Sequence, residues 1–483
     1  MAAVVLLFVP ERRQPAIRVI ATVTGALLLS LSIFVFLSYD HVRGGFQLEE
    51  QYSWLPSLGI TLHLAVDGIS APMVLLTGIV ILCGVLVSLK FTSRIKDFFI
   101  LLFVLVGGVY GVFESLDLFF LFFFYEVAVL PMYLLIAVWG ASSDFGTFKR
   151  PKEYGAMKLV LYLVAGSVPV WVALIATFVE AGKGSFDLLI LQQVVYSREF
   201  QTLFYPFFMI GFGILAGLWP LHTWSPDGHV AAPTAVSMLH AGVLMKLGAF
   251  GIIRVGMTLF PEGAITWTPL LLTLATVNVL YGAVSALGQK DLKYVVGYSS
   301  VSHMGYVLMG FSALSAIGMS GAVLQMFSHG VMTALFFALV GAVYDQAHTR
   351  EIAIFGGLAK RMTIVAAFFA VVGFTSLGLP GFSGFVAEFL IFVGLFQHFP
   401  IFGALAVVGA AITAVYILRL LATVFFGPLQ ERWSTLHDPT RAETLAMVVL
   451  VATLVIVGIY PTLLMPTINS GIAPLMALLE RAG

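Results

Sequence analysis

About fourteen apolar runs recur along the chain, with centres near residues 6, 28, 80, 105, 128, 168, 212, 245, 277, 303, 331, 380, 414 and 454. A helix rises 1.5 Å per residue, so a run of about 20 crosses a ~30 Å hydrocarbon layer with its backbone hydrogen bonds satisfied internally. Only the first run is too short to cross alone. The pattern predicts an all-α polytopic membrane protein of about 14 transmembrane helices. Composition agrees, with 60% hydrophobic and only 10% charged residues. The 24 basic and 24 acidic residues cancel, which removes nucleic acid as a partner. One cysteine, Cys83, excludes a disulfide framework, an iron-sulfur cluster and a cysteine-rich zinc site. The apolar stretch Ala2 to Val9 precedes its charges, Glu11, Arg12 and Arg13, and lacks a small-residue cleavage site, so it does not read as a signal peptide.

Lysine and arginine collect in cytoplasmic loops. Seventeen of them, including Arg12, Lys90, Arg150, Lys158, Lys293, Arg350 and Arg441, flank the connections after odd-numbered runs, and five (Arg43, Lys183, Arg198, Arg254 and Arg481) flank the others. This asymmetry puts both termini outside the cytoplasm of a chain embedded in the cell inner (plasma) membrane.

Proline interrupts two runs at matching points, Pro220 in Gly217-Leu218-Trp219-Pro220 and Pro380 in Leu377-Gly378-Leu379-Pro380-Gly381. Each proline lacks an N–H and should free the carbonyl four residues earlier, on Ala216 and Ser376. Unpaired backbone groups at membrane depth are tolerated only against protein or a wet cavity. The breaks lie five runs apart, an odd number, so the two halves would cross the bilayer in opposite senses, as in inverted-repeat transporters with their site at broken helices.

An ionisable side chain at the centre of a span costs at least about 2.5 to 3.5 kcal/mol, so it faces the interior and usually has a task. Glu126, Lys246 and Glu388 are such groups. His303 and His329, on the tenth and eleventh runs, titrate near neutral pH. These five protonatable groups on five spans read as a buried proton relay; the alternative is a static set of ion pairs and polar contacts between helices. Arg419, late in run thirteen, is expected to snorkel to the surface. Gly211-x-Gly213-x-x-Ala216 lies inside an apolar span with no preceding strand and is no dinucleotide site. His222, Asp227 and His229 lack a zinc-binding spacing and read as a hydrogen-bonded loop, so neither metal nor cofactor is expected.

Several ordered strings carry a resemblance. They are Asp117-Leu118-Phe119-Phe120 leading to Glu126; Pro220-Leu221-His222-Thr223-Trp224-Ser225-Pro226-Asp227-Gly228-His229; Ala232-Pro233-Thr234; and Ala241-Gly242-Val243-Leu244-Met245-Lys246. Gln289-Lys290-Asp291-Leu292-Lys293, Tyr298 through Gly305, His348-Thr349-Arg350 and Pro380-Gly381-Phe382 with Glu388 follow. The chain resembles, over nearly its whole length, the antiporter-like subunits of respiratory complex I, most closely the M type (chain 4) of NADH-quinone oxidoreductase. The resemblance implies two inverted five-helix repeats and a midplane row of polar residues. Glu126 and Lys246 would belong to the first half, His303 and His329 to the link, and Glu388 to the exit half. It divides the chain into N-terminal helices and an external loop (1–97), a first repeat (98–260), a second repeat (261–427) and a C-terminal helix (428–483). It also implies that this chain holds no redox site and acts as a translocating subunit, with NADH and quinone handled elsewhere. The implied partners are the N- and L-type antiporter-like subunits and small subunits of the membrane arm, lipid, protons and, indirectly, the peripheral NADH-dehydrogenase arm.

One position departs from that pattern. Seven residues before His222, where the family usually has a lysine partnering the glutamate of span five, stands Leu215. His240 is the nearest substitute. Three readings stay open: a proton-translocating subunit of NADH-quinone oxidoreductase, a subunit of a multi-subunit sodium/proton antiporter, and a non-pumping structural subunit of the membrane arm.

Overall fold

The computed structural model describes residues 1–144 and 149–483. Among these, 11 helices are long and apolar enough to cross a membrane by length and composition. Three further segments account for the remaining apolar runs. The first is the short α1 (Ala2–Leu7). The second, α13 (Leu292–Ser312), carries Lys293, His303 and several serines and is buried almost throughout, so protein rather than lipid surrounds its polar groups. The third is a broken pair, α15 (Thr363–Ser376) and α16 (Ser383–His398).

Burial sorts the long helices into layers. At the centre stand α14 (Ala316–Ala347) and the continuous helix Thr234–Met257, both wholly buried over their apolar windows. The outer helices α2 (Gln14–Ser38), α17 (Pro400–Phe425) and α18 (Arg441–Ile459) are 22%, 33% and 33% buried, which leaves apolar faces for lipid or neighbouring subunits. Between them pack α3 (Ser70–Ser88), α4 (Ile95–Glu114), α5 (Leu118–Trp139), α6 (Lys152–Ala181), α8 (Arg198–Ala216) and α12 (Pro261–Leu287). Side-chain caps fix several starts: Asp117 accepts from the N–H groups of Phe119 and Phe120, Asp291 from Lys293 and Tyr294, and Ser315 from Gly318. Each such cap is worth about 1 kcal/mol.

The two ends of the bundle differ. One carries an antiparallel hairpin, β1 (Gln47–Leu55) with β2 (Ile60–Val66), the single-turn α7 (Leu188–Leu191) and α19 (Met465–Ala482). His63 of β2 clamps this end by hydrogen bonds to Asp187 (2.5 Å) and Glu49 (2.9 Å). The hairpin falls in the segment read as a plain loop, because alternation over so few residues is weak beside the apolar runs. The helix α19 has no counterpart among those runs, because its mixed composition never gave a continuous apolar stretch. The opposite end is bound by ion pairs: Lys90 with Asp345 and Glu443, and Arg350 with Asp291 (3.0 Å). Here lie a two-residue ribbon, β3 (Ser143–Asp144) with β4 (Lys149–Arg150), and α9 (Trp224–Ala231).

Both interrupted spans stop at the residues named for them, α8 at Ala216 and α15 at Ser376. Helix α8 ends through Gly217, whose φ of +80° suits a residue without a Cβ and lets Leu218 N–H reach back to the Gly213 carbonyl (2.8 Å). Asn278 of α12 then ties the open backbone. Its Nδ2 donates to the carbonyls of Gly217 (2.9 Å) and Val301 (3.2 Å), and its Oδ1 accepts from Trp219 N–H. Trp224 Nε1 donates to the Ile214 carbonyl (2.9 Å). The backbone groups that receive help are therefore those of Gly213, Ile214, Gly217 and Trp219. Glycine terminates the helix before the proline's own clash decides the matter. Asn278→Leu should strand the Gly217 and Val301 carbonyls and the Trp219 N–H at about 1 to 3 kcal/mol each. The thermal midpoint of the purified protein should drop clearly; an unchanged midpoint would show that the tie carries no stability.

Candidate functional site

Lys246 sits in α11 (Met245–Gly251), the middle of Thr234–Met257, and is fully buried. On either side the helix widens into π turns, His240–Leu244 and Ile252–Met257. In the first, Met245 N–H reaches the carbonyl of His240, five residues back. The adjacent Ala241 carbonyl accepts from Lys246 Nζ at 2.5 Å. Such turns often mark functional positions. The same Nζ hydrogen-bonds His329 Nδ1 on α14 at 2.9 Å.

From His329 the polar chain continues. Its ring stacks on that of His303 on α13, with centroids 5.4 Å apart. His303 Nδ1 lies 3.2 Å from Glu388 Oε1, and its Nε2 lies 3.0 Å from Ser376 Oγ, the last residue of α15. Gln325, one turn before His329, donates through Nε2 to Glu388 Oε1 (3.3 Å) and sits 3.3 Å from His303 Nδ1. Glu388 is 3% exposed and reaches back to the second break, where a Cβ on Gly378 would stand 3.1 Å from its Oε2. Gly378 has φ +73°, so glycine is favoured there by backbone and by space. Lys246, His329, His303 and Glu388 thus form one buried line from the central helix to the second break. Pro380 lies inside that break and Pro220 inside the first.

Glu126 is outside this line. It is half-buried on α5 and accepts a hydrogen bond from Ser167 Oγ of α6. Phe123 and Leu130, about one turn to either side, are 47% and 60% exposed, so the carboxyl stands near the lateral surface. Among the described residues it has no ion-pair partner. Lys158 bonds Asp227 (2.8 Å), and His240 bonds His229, Nδ1 to Nδ1 at 2.9 Å. Leu215 is buried in α8.

The segment read as a hydrogen-bonded loop around Asp227 is in fact helix α9, because Pro226 falls in its first turn, where no N–H is needed. Asp227 gathers Arg150, Lys158 and Tyr294, and His229 also hydrogen-bonds Ser225 Oγ (2.9 Å). Lys293, counted as a loop cation in the sequence, is 3% exposed and donates to the Ala232 carbonyl (2.7 Å). Gln325 and Asn278 carry no role in the sequence analysis, and Ser376, Lys293, His229 and His240 appear there without the contacts found here. Two signals were present: Gln325 lies four residues before His329, and Ser225 four before His229, spacings that share a helix face.

Residues 115–413, which hold both breaks and all five groups, match the family described as NADH:quinone oxidoreductase/Mrp antiporter, TM. The chain belongs to this family. Among relatives within the NADH:quinone oxidoreductase/Mrp antiporter family, NAD(P)H-quinone oxidoreductase chain 4 1 of Synechococcus elongatus is 37% identical over 471 residues, 96% of this chain and 87% of that one. NAD(P)H-quinone oxidoreductase chain 4 of Acaryochloris marina is 37% identical over 478 residues, 96% of this chain and 88% of that one. A chain of respiratory complex I from Thermus thermophilus with bound NADH superposes with a TM-score of 0.89 at 27% identity, covering 99% of this chain and 100% of that one. A chain of the Mrp complex from Dietzia shares the fold, with a TM-score of 0.85 at 18% identity over 99% and 96% of the two chains. With these likenesses the chain stands as an M-type, polytopic helical member of the family.

Proposed function

We propose that this chain is a proton-translocating membrane-arm subunit of an NADH-quinone oxidoreductase, and that its relay runs Lys246, His329, His303, Glu388. The observation that carries the reading is the buried line of these four side chains on four helices, in polar contact at its two ends and stacked ring on ring at its middle. Neutral lysine, imidazole and carboxylate can each accept a proton and pass one on. The 2.9 Å contact of Lys246 with His329 and the 3.2 Å contact of His303 with Glu388 are direct transfer steps. The two histidine rings stack without a hydrogen bond between them, so ring reorientation at that step would open and close the wire. Redox chemistry in partner subunits supplies the energy through conformational or electrostatic coupling. The partners on this reading are N- and L-type antiporter-like subunits, small membrane-arm subunits and, indirectly, the peripheral NADH-dehydrogenase arm. The membrane is the inner (plasma) membrane, with the Arg350 end cytoplasmic and the C-terminus on the other side; the short α1 leaves Met1 beside the middle of α2 and α4 rather than across the membrane. Repeats 98–260 and 261–427 each contain one broken span.

Glu126 takes a different place. Near the lateral face and, among the described residues, without an ion-pair partner, it is set to exchange protons with an adjoining subunit rather than with Lys246. Glu126→Gln should therefore reduce pumping by the assembled complex less than Glu388→Gln does. Equal loss in both variants, measured in the same vesicles, would return Glu126 to the main line.

The Mrp likeness favours a second reading, a subunit of a multi-subunit sodium/proton antiporter, and Leu215 favours a third, a non-pumping structural subunit. Affinity purification from the native membrane separates the second. Peripheral NADH-dehydrogenase subunits should co-purify if the proposal holds, and their absence from a complex of membrane subunits alone would replace it with the antiporter.

A further inference from the structure

At the Arg350 end a cavity of about 340 Å³ opens between α12, α13, α17 and the segment around Ile352, lined among others by Lys290, Val295, Glu351, Tyr416, Arg419 and Thr423. A water molecule needs only about 10 to 15 Å³ of such space, so the cavity has room for several waters. Arg419 does reach this surface, and Glu351 gives the mouth a carboxylate. At the inner wall Tyr416 is 3% exposed and donates its hydroxyl hydrogen to Ser299 Oγ of α13 at 2.9 Å. Ser376 also lies within interaction range of that hydroxyl, and Ser376 Oγ is 3.0 Å from His303 Nε2. Ser299 precedes His303 by four residues on the same helix face. Hydroxyls therefore lead from the cavity to the ring that faces Glu388.

We infer that this cavity is a proton inlet, which delivers protons from the Arg350 end through the hydroxyls of Tyr416 and Ser376 to His303, with Ser299 holding the Tyr416 hydroxyl between transfers. The inference deepens the proposed relay and rests on it. Tyr416 turns its hydroxyl from Ser299 to Ser376, accepts a proton from the cavity on its oxygen lone pair and passes the one it carried to Ser376, which passes its own to His303 Nε2, so both oxygens keep one proton and one proton arrives at His303. No redox partner is required. The inlet joins the line beyond Lys246, so the second half can be loaded although Leu215 leaves the first half without its usual lysine. It also gives a task to Ser376, the residue where α15 stops.

The test compares three forms of the assembled complex in sealed vesicles: wild type, Tyr416→Phe and Glu388→Gln. Phenylalanine keeps the buried ring and removes only the hydroxyl. Redox-driven proton uptake should fall by about tenfold in Tyr416→Phe, short of the full effect of a proton-transfer group, about a hundredfold or more, because Lys246 still feeds His329. A second measurement moves only if the cavity conducts. In Thr423→Cys, attaching a bulky thiol reagent at the mouth should slow uptake relative to the same variant before labelling. Tyr416→Phe or labelled Thr423→Cys at full rate, with Glu388→Gln impaired, overturns the inlet and leaves the relay standing. If Glu388→Gln itself pumps normally, the relay fails and the inlet with it.

Discussion

Glu388→Gln is expected to cut redox-driven proton pumping by about a hundredfold or more, the usual contribution of a positioned proton-transfer group, while the complex still assembles. Glutamine preserves the shape of the side chain and can still accept from Gln325 Nε2 through its amide oxygen. It cannot take a proton from His303 Nδ1 and later release it. Assembly matters to the interpretation, because Glu388 sits against the second break and a collapsed site would also stop pumping. Blue-native electrophoresis with peripheral subunits retained, alongside vesicle acidification, separates the two. Normal pumping by assembled mutant complex would remove Glu388 from the relay.

Lys246→Ala should be as damaging, for two reasons that Lys246→Arg distinguishes. Alanine deletes the proposed proton carrier and also leaves His329 Nδ1 and the Ala241 carbonyl without their donor in a site with no solvent exposure, at about 1 to 3 kcal/mol for each unsatisfied group. Arginine keeps a cationic donor but holds its proton at any accessible pH, so it should restore assembly and only a fraction of pumping. Pumping rates of the two variants, normalised to assembled complex, decide the point. Arginine no better than alanine would mean that Lys246 does more than supply charge. Full activity with arginine would mean that Lys246 carries no proton.

The membrane-embedded helical class was legible because the apolar runs leave no other stable arrangement, and the positions of the breaks were legible because proline and glycine act locally. The five ionisable groups stood out because each is costly inside an apolar stretch. What sequence could not reveal was which of them meet. Lys246 and His329 are 83 positions apart and His303 and Glu388 are 85 apart, and their contact depends on how four helices rotate about their axes. Glu126 looked equivalent to the others by the same insertion-cost argument, yet α5 turns it toward the lateral surface. Lys293 was misplaced for the opposite reason. A lysine one residue past a helix start normally points to solvent, and here it is drawn inward to the Ala232 carbonyl. Polar but neutral residues such as Asn278 and Gln325 gave almost no signal, since an amide inside a helix is common enough to pass unnoticed.

The Asn278 tie bears on how the chain is built into its membrane. The groups it secures belong to residues 217 and 219, and its other anchor is the carbonyl of Val301. Spans are delivered to the bilayer in order of synthesis, so α8 and its break arrive before α12 and α13 exist. During that interval Gly217 and Trp219 must keep their polar backbone in contact with water, because lipid offers no partner. The first half of the molecule therefore cannot close as a finished unit before the second half begins. Its break is sealed by α12 and α13, which follow it in the chain, and a chain stalled between residues 231 and 278 would leave that seam unsealed.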